Sequence, residues 1–182
     1  MSGIFDLNFG PGGAIPLREP KYFEVSDFYK EKDKTDQHEA MASLMAKISG
    51  QSRKEIAQLP IKVFREGHAF LLEYLNYWPT VEQDDSYIIQ LDNVITSLNG
   101  VEGWNEVALR EPVFSEFSQF NAEAKKTSDQ DAMGLLMSLI SGVNRIAITK
   151  MPISKYREGS AYLMGFLTYF PKSKDGGTES PS

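Results

Sequence analysis

The chain has 182 residues, 41% of them hydrophobic and 12% aromatic, with a formal net charge of -6, a pI near 5.0 and no cysteine. That apolar content belongs to a chain that folds, and the length allows one large domain or two small ones that lean on each other. The acidity excludes a large nucleic-acid or anionic-membrane footprint, and the missing thiols exclude disulfides, thiolate nucleophiles and zinc-thiolate sites.

Met1 to Phe9 has no basic start leading into an apolar run, so no signal peptide is expected. No stretch approaches the roughly 18 uninterrupted apolar residues of a membrane span. Gly10-Pro11-Gly12-Gly13 runs into Ala14-Ile15-Pro16 rather than into a helix opening with Lys-Ser or Lys-Thr, which reads as a turn and not a phosphate loop.

From Leu17 onward the chain is self-similar. Leu17-Arg18-Glu19-Pro20 returns as Leu109-Arg110-Glu111-Pro112, and the same offset of 92 holds without a gap to Pro79 and Pro171. About half of the aligned positions are identical, which is the signature of a duplicated structural unit. A short helix is expected over Val25 to Tyr29 and again around Phe117 to Asn121.

The next helix carries Ala40, Met41, Leu44, Met45 and Ile48 in one stripe, answered by Ala132, Met133, Leu136, Met137 and Ile140. Asp36 with Glu39, and Ser128 with Asp131, suit its first turn, and Gly50 or Gly142 supplies a left-handed stop. Ser52 to Glu55 has capping-box spacing for a brief helix through Ile56 and Leu59. Pro60 and Pro152 then suit the first turn of a last helix, with Ile61, Phe64, Leu71 and Leu75 on one face and Ile153, Tyr156, Leu163 and Leu167 as their counterparts.

Between the two units the periodicity becomes alternating. Tyr87, Ile89 and Leu91 face one way, Asn99-Gly100 offers the two left-handed positions of a type I′ turn, and Trp104 to Leu109 makes the return strand. The reading is therefore mainly α within an α+β fold: two tandem repeats of a small three- to four-helix unit, with a β-hairpin opening the second. Residues 1–80 form the first repeat, 81–86 an acidic linker, 87–171 the hairpin with the second repeat, and 172–182 a disordered tail.

Chemistry-bearing residues are few. His38 and His68 become Gln130 and Ser160 in the second unit, against a shared catalytic or metal role, and His68 on an apolar helix face reads as a core or rim residue. Arg-Glu-Gly at 65–67 and 157–159 reads as an ion pair beside a glycine for close packing rather than as acid/base machinery around Glu66 and Glu158. Leu44 to Leu59 has the outline of a helix-turn-helix, yet its basic pair Arg53 and Lys54 becomes Arg145 and Ile146. Met41, Met45, Met133 and Met137 suit either core or an adaptable apolar client surface. No catalytic, cofactor or metal site is expected.

A hairpin with an Asn-Gly turn, then Leu-Arg-Glu-Pro, an Ile-Ser-Gly break and a final amphipathic helix resembles the tail assembly chaperone family of long-tailed bacteriophages. Tyr87 to Phe170 carries this order in full, and the first unit replaces its hairpin with Phe9 to Ile15. The resemblance implies a non-catalytic protein that coats the tape measure protein, helps recruit tail tube subunits in the bacterial cytoplasm and is absent from the virion. It implies neither nucleic acid, membrane nor cofactor as partner. The competing reading is a structural tail or baseplate component retained in the particle. Leu17, Arg18, Glu19 and Pro20, with Leu109, Arg110, Glu111 and Pro112, are expected to fix the start of each helical unit, the arginines pairing a carboxylate or carbonyl.

Overall fold

The computed structural model describes residues 4–9 and 13–169. Its elements are β1 (Phe5–Asn8), β2 (Ala14–Leu17), α1 (Tyr22–Lys32), α2 (Gln37–Ser49), α3 (Arg53–Ala57), α4 (Ile61–Asn76), β3 (Ser86–Thr96), β4 (Gly103–Arg110), α5 (Phe114–Ala124), α6 (Asp129–Ser141), α7 (Arg145–Thr149) and α8 (Ile153–Leu167). Among the described residues the protein is mixed α/β, eight helices with two antiparallel hairpins, and the order β-β-α-α-α-α occurs twice. The tail expected over 172–182 lies outside the described residues.

The first hairpin corrects the sequence reading, which expected one only in the second half. Phe5 pairs with Leu17 and Leu7 with Ile15. Leu7, Ile15 and Leu17 are buried and their neighbours are not, the period of two that seats one sheet face on a core. That alternation was hidden by strands of only four residues. In the second hairpin Tyr87 opposes Leu109 and Ile89 opposes Val107, with an irregularity between Gln90 and Ile95.

The type I′ turn is also corrected. Six residues, Ser97 to Glu102, join β3 to β4; Gly100 alone has positive φ, at 70°, and Asn99 does not. The Asn99 side chain instead organises the loop, its Oδ1 accepting from Ser97 Oγ at 2.8 Å and from Val101 N at 3.3 Å. An Asx-type contact of this kind competes with the left-handed backbone that a two-residue turn requires.

Helix ends follow side-chain chemistry. Asp36 accepts from His38 N and Glu39 N, Ser128 accepts from Asp131 N, and Ser52 with Glu55 forms a reciprocal capping box. Gly50 and Gly142 stop α2 and α6 at φ of 73° and 72°. Pro60 and Pro152 sit one position before the first helical residues, as caps rather than first-turn members. Helices α1 and α5 start three residues earlier than the apolar pattern indicated, because Glu24 and Glu116 fold back onto the amides of Lys21 and Val113, at 2.7 and 2.9 Å.

A single apolar cluster runs through both halves, from Leu7 through Leu44 and Leu71 to Ile89, Leu136 and Leu163. Helix α4 lies on β1, and α8 on β3 and β4. Gly67 and Gly159 admit these approaches: a Cβ on Gly67 would stand 3.1 Å from Leu7 and Leu17 side-chain atoms, and one on Gly159 would stand 2.8 Å from Ile89 Cδ1. The close packing served by Arg-Glu-Gly is thus helix on sheet. On α4 the expected face packs at Phe64, Leu71 and Leu75, widened by Val63 and Tyr74, and only Ile61 departs from it by being exposed.

Candidate functional site

The eight motif residues form two matching knots at the starts of α1 and α5. Arg18 donates to both carboxylate oxygens of Glu24, at 2.6 and 2.8 Å, and to Glu19 O at 3.0 Å. Arg110 does the same to Glu116, at 2.8 and 2.9 Å, and to Glu111 O at 2.9 Å. Each glutamate also accepts the amide of the residue that caps its own helix, Lys21 or Val113, so one carboxylate joins the end of a strand to the start of a helix. Hydrogen bonds from Arg110 hold the Glu116 carboxyl below the usual carboxylate range, and those to Glu24 raise Arg18. Leu17 and Leu109 are buried beneath the knots, and Pro20 is buried where Pro112 is half-exposed.

Beyond the first knot the two halves meet. Lys21 bridges Pro152 in antiparallel fashion, Tyr22 N donates to Met151 O at 2.9 Å, Ile153 N to Pro20 O at 2.9 Å, and Ser154 N to Glu19 Oε1 at 2.7 Å. The Tyr22 ring stacks on Tyr156 at 3.8 Å between centroids, and its hydroxyl donates to Asp131 Oδ1 at 2.7 Å. Burial, then the Asp131 contact, pushes the Tyr22 hydroxyl far above the tyrosine range and keeps it a donor. On the other side of the same helix, Arg157 donates to Tyr74 O, Tyr77 O and Leu75 O at 2.6, 2.5 and 2.9 Å. These are carbonyls at the end of α4, which no intrahelical amide can reach. Sequence inspection grouped Arg157 with Glu158; the buried clamp across the chain was invisible because its acceptors are backbone atoms.

The acidic connection between the halves is tied to α8. Gln83 Nε2 donates to Tyr162 O at 3.0 Å and Tyr162 OH to Asp84 O at 2.8 Å. Glu158 pairs with Lys155 at 3.0 Å and accepts from Tyr87 OH at 3.4 Å, whereas Glu66 is exposed.

Next to the junction lies a cleft of about 320 Å³ between α5, α6 and α8, walled by Trp78, Phe117, Phe120, Met133, Met164 and Leu167. Its floor carries Tyr156, Arg157 and Ser160, all buried. Of the four methionines expected as a client surface, only Met133 reaches this wall; Met41, Met45 and Met137 have no exposed surface, and Met133 is itself buried. The correction has a simple cause, since the stripe they share is the face on which α2 and α6 close the core; the methionine exposed at the cleft is Met164.

The remaining candidates resolve into structural contacts. The rings of exposed His38 and half-buried His68 lie 5.8 Å apart with Gln37 beside His68, and burial followed by the His38 charge lowers the pKa of His68. Arg145 of α7 is paired with Glu123 of α5 at 2.7 Å, and Arg53 of α3 is paired with Glu39 of α2, so the two arginines of the helix-turn-helix outline tie one helix to another. Among the described residues no three His, Asp or Glu side chains are grouped to hold a metal ion, and no helix is long and apolar enough to cross a membrane.

What the arrangement offers is therefore an apolar cleft with a cationic clamp behind it. Neither a family model, nor a curated relative, nor a solved structure matches the chain.

Proposed function

We propose that this chain is a non-catalytic tail assembly chaperone, a tandem duplication in which residues 17–79 and 109–171 are two copies of one unit, and that its client is the tape measure protein. The observation that carries the reading is the pair of Arg-Glu knots: the same four motif residues, each followed by a glutamate that caps the next helix, at corresponding places in two successive β-β-α-α-α-α arrays. Family resemblance of the same motif supplies the client and the role in recruiting tail tube subunits. The apolar cleft fits this reading, because an extended helical client offers side chains for a flexible pocket lined by thioethers and aromatic rings. Two modules on one chain would hold such a client through effective concentration.

Coexpression with the tape measure protein encoded beside it, followed by copurification and assay of mature virions, tests the proposal. A complex together with absence from virions is the expected result. No complex and a stoichiometric virion band would refute it and favour a structural tail or baseplate protein. Met164→Glu in the cleft wall should weaken the complex without loss of the fold, since Met164 is already exposed.

A further inference from the structure

The contact between the two halves uses one surface from each, and the duplication reading, on which this inference rests, leaves one unused copy of both. The first half contributes Glu19 to Tyr22 and the end of α4; the second contributes Met151 to Arg157. The unused counterparts are Glu111 to Phe114 with the end of α8, and Leu59 to Arg65. Their exposure differs accordingly. Tyr22 is 1% exposed but Phe114 is 82%, and Ile153 is 2% exposed but Ile61 is 65%. Arg157 is buried and Arg65 is exposed.

The backbone shows the same imbalance. The amides of Tyr22, Ile153 and Ser154 donate across the junction, whereas those of Phe114, Ile61 and Lys62 meet no acceptor among the described residues. The unused surfaces also match in charge, for Glu111 is acidic and exposed where Lys62 and Arg65 are basic and exposed.

We infer that the chain assembles head to tail with further copies of itself, the second half of one copy docking on the first half of the next in the geometry of the internal junction. Phe114 then stacks on Phe64 as Tyr22 stacks on Tyr156, and Glu111 accepts from Lys62 N. Arg65 caps the final carbonyls of the neighbouring α8. Phe114 lacks the hydroxyl with which Tyr22 reaches Asp131, so the contact between copies forgoes one hydrogen bond of the internal one. A joint between unlike surfaces does not close on itself as a two-fold dimer does; it propagates into rings or open helical strings.

Sedimentation velocity of the purified chain across a roughly hundredfold concentration range tests the inference. Association beyond the dimer is expected, and Phe114→Glu or Ile61→Glu alone should each weaken it at least about tenfold, because a buried aromatic or aliphatic anchor becomes a charge. Both positions are exposed in the monomer, so an unchanged melting temperature verifies that the variants fold. Mixing the two variants is decisive: each keeps the surface the other has lost, and a one-to-one heterodimer that grows no further should form. A chain that stays monomeric, an association indifferent to both substitutions, or a mixture that forms nothing would overturn the inference. Because no tape measure protein is present, such a failure is separate from failure of the chaperone reading, which the copurification decides.

Discussion

At Arg18 and Arg110 a contact between near neighbours sets where a helix begins, and the ionised glutamate is what makes it work. Folded Glu116 titrates below an ordinary glutamate, so its stabilisation is complete above the unfolded value and is lost as pH falls through the folded one. His68 acts at higher pH. Its folded pKa is lowered from the ordinary 6.5, so the unfolded chain takes the proton first and stability declines as pH falls from there towards the folded value. Urea midpoints against pH should therefore show two acid limbs, and His68→Gln should flatten the upper one; an upper limb that survives in the variant would refute the assignment. Gly50 and Gly142 are residue-scale stops of another kind. Each sits at positive φ with open space where a Cβ would go, so Gly50→Ala and Gly142→Ala should each cost about 1–2 kcal/mol by backbone strain alone, measured by chemical denaturation.

Among elements, α2 and α6 are the clearest case of a pattern that specifies its own burial. Leu44 and Leu136 have almost no exposed surface, and Leu44→Ala or Leu136→Ala should each cost about 2–5 kcal/mol in urea unfolding; values near zero would mean the stripe is not core. These helices were legible because period, cap and stop all agree over thirteen residues. The first hairpin was not, since two four-residue strands show too little alternation to separate them from a loop. The second was legible as strands but not as a turn, because Asn99 spends its side chain on Ser97 and Val101 instead of adopting the backbone its residue type permits. On α4 the expected face lies on the core where the helix meets β1, and Ile61 alone stands out in solvent because nothing among the described residues packs on it as Tyr22 and Pro20 pack at Ile153.

For the whole molecule, the two arginines of Arg-Glu-Gly make the sharpest prediction. Arg157→Ala should lose about 2–4 kcal/mol, because three carbonyls at the end of α4 lose a charged donor in a buried setting, while Arg65→Ala should leave monomer stability nearly unchanged. Denaturation of both variants at low concentration checks this, and equal losses would contradict it. The two residues stand in the same three-residue motif and at the same place on corresponding helices. Nothing local separates them. What composition, period and self-similarity could settle were properties carried by neighbouring residues: a helix-rich chain without thiols, the stripes of α2 and α6, the glycine stops and an arginine that fixes each helix start, though not the glutamate it pairs. The junction, the cleft and the unequal fates of Arg65 and Arg157, Ile61 and Ile153, Phe114 and Tyr22 were decided by tertiary structure alone. Similar segments become different when one meets a partner surface and the other meets solvent, and burial is a relation between distant parts of the chain that no local pattern encodes.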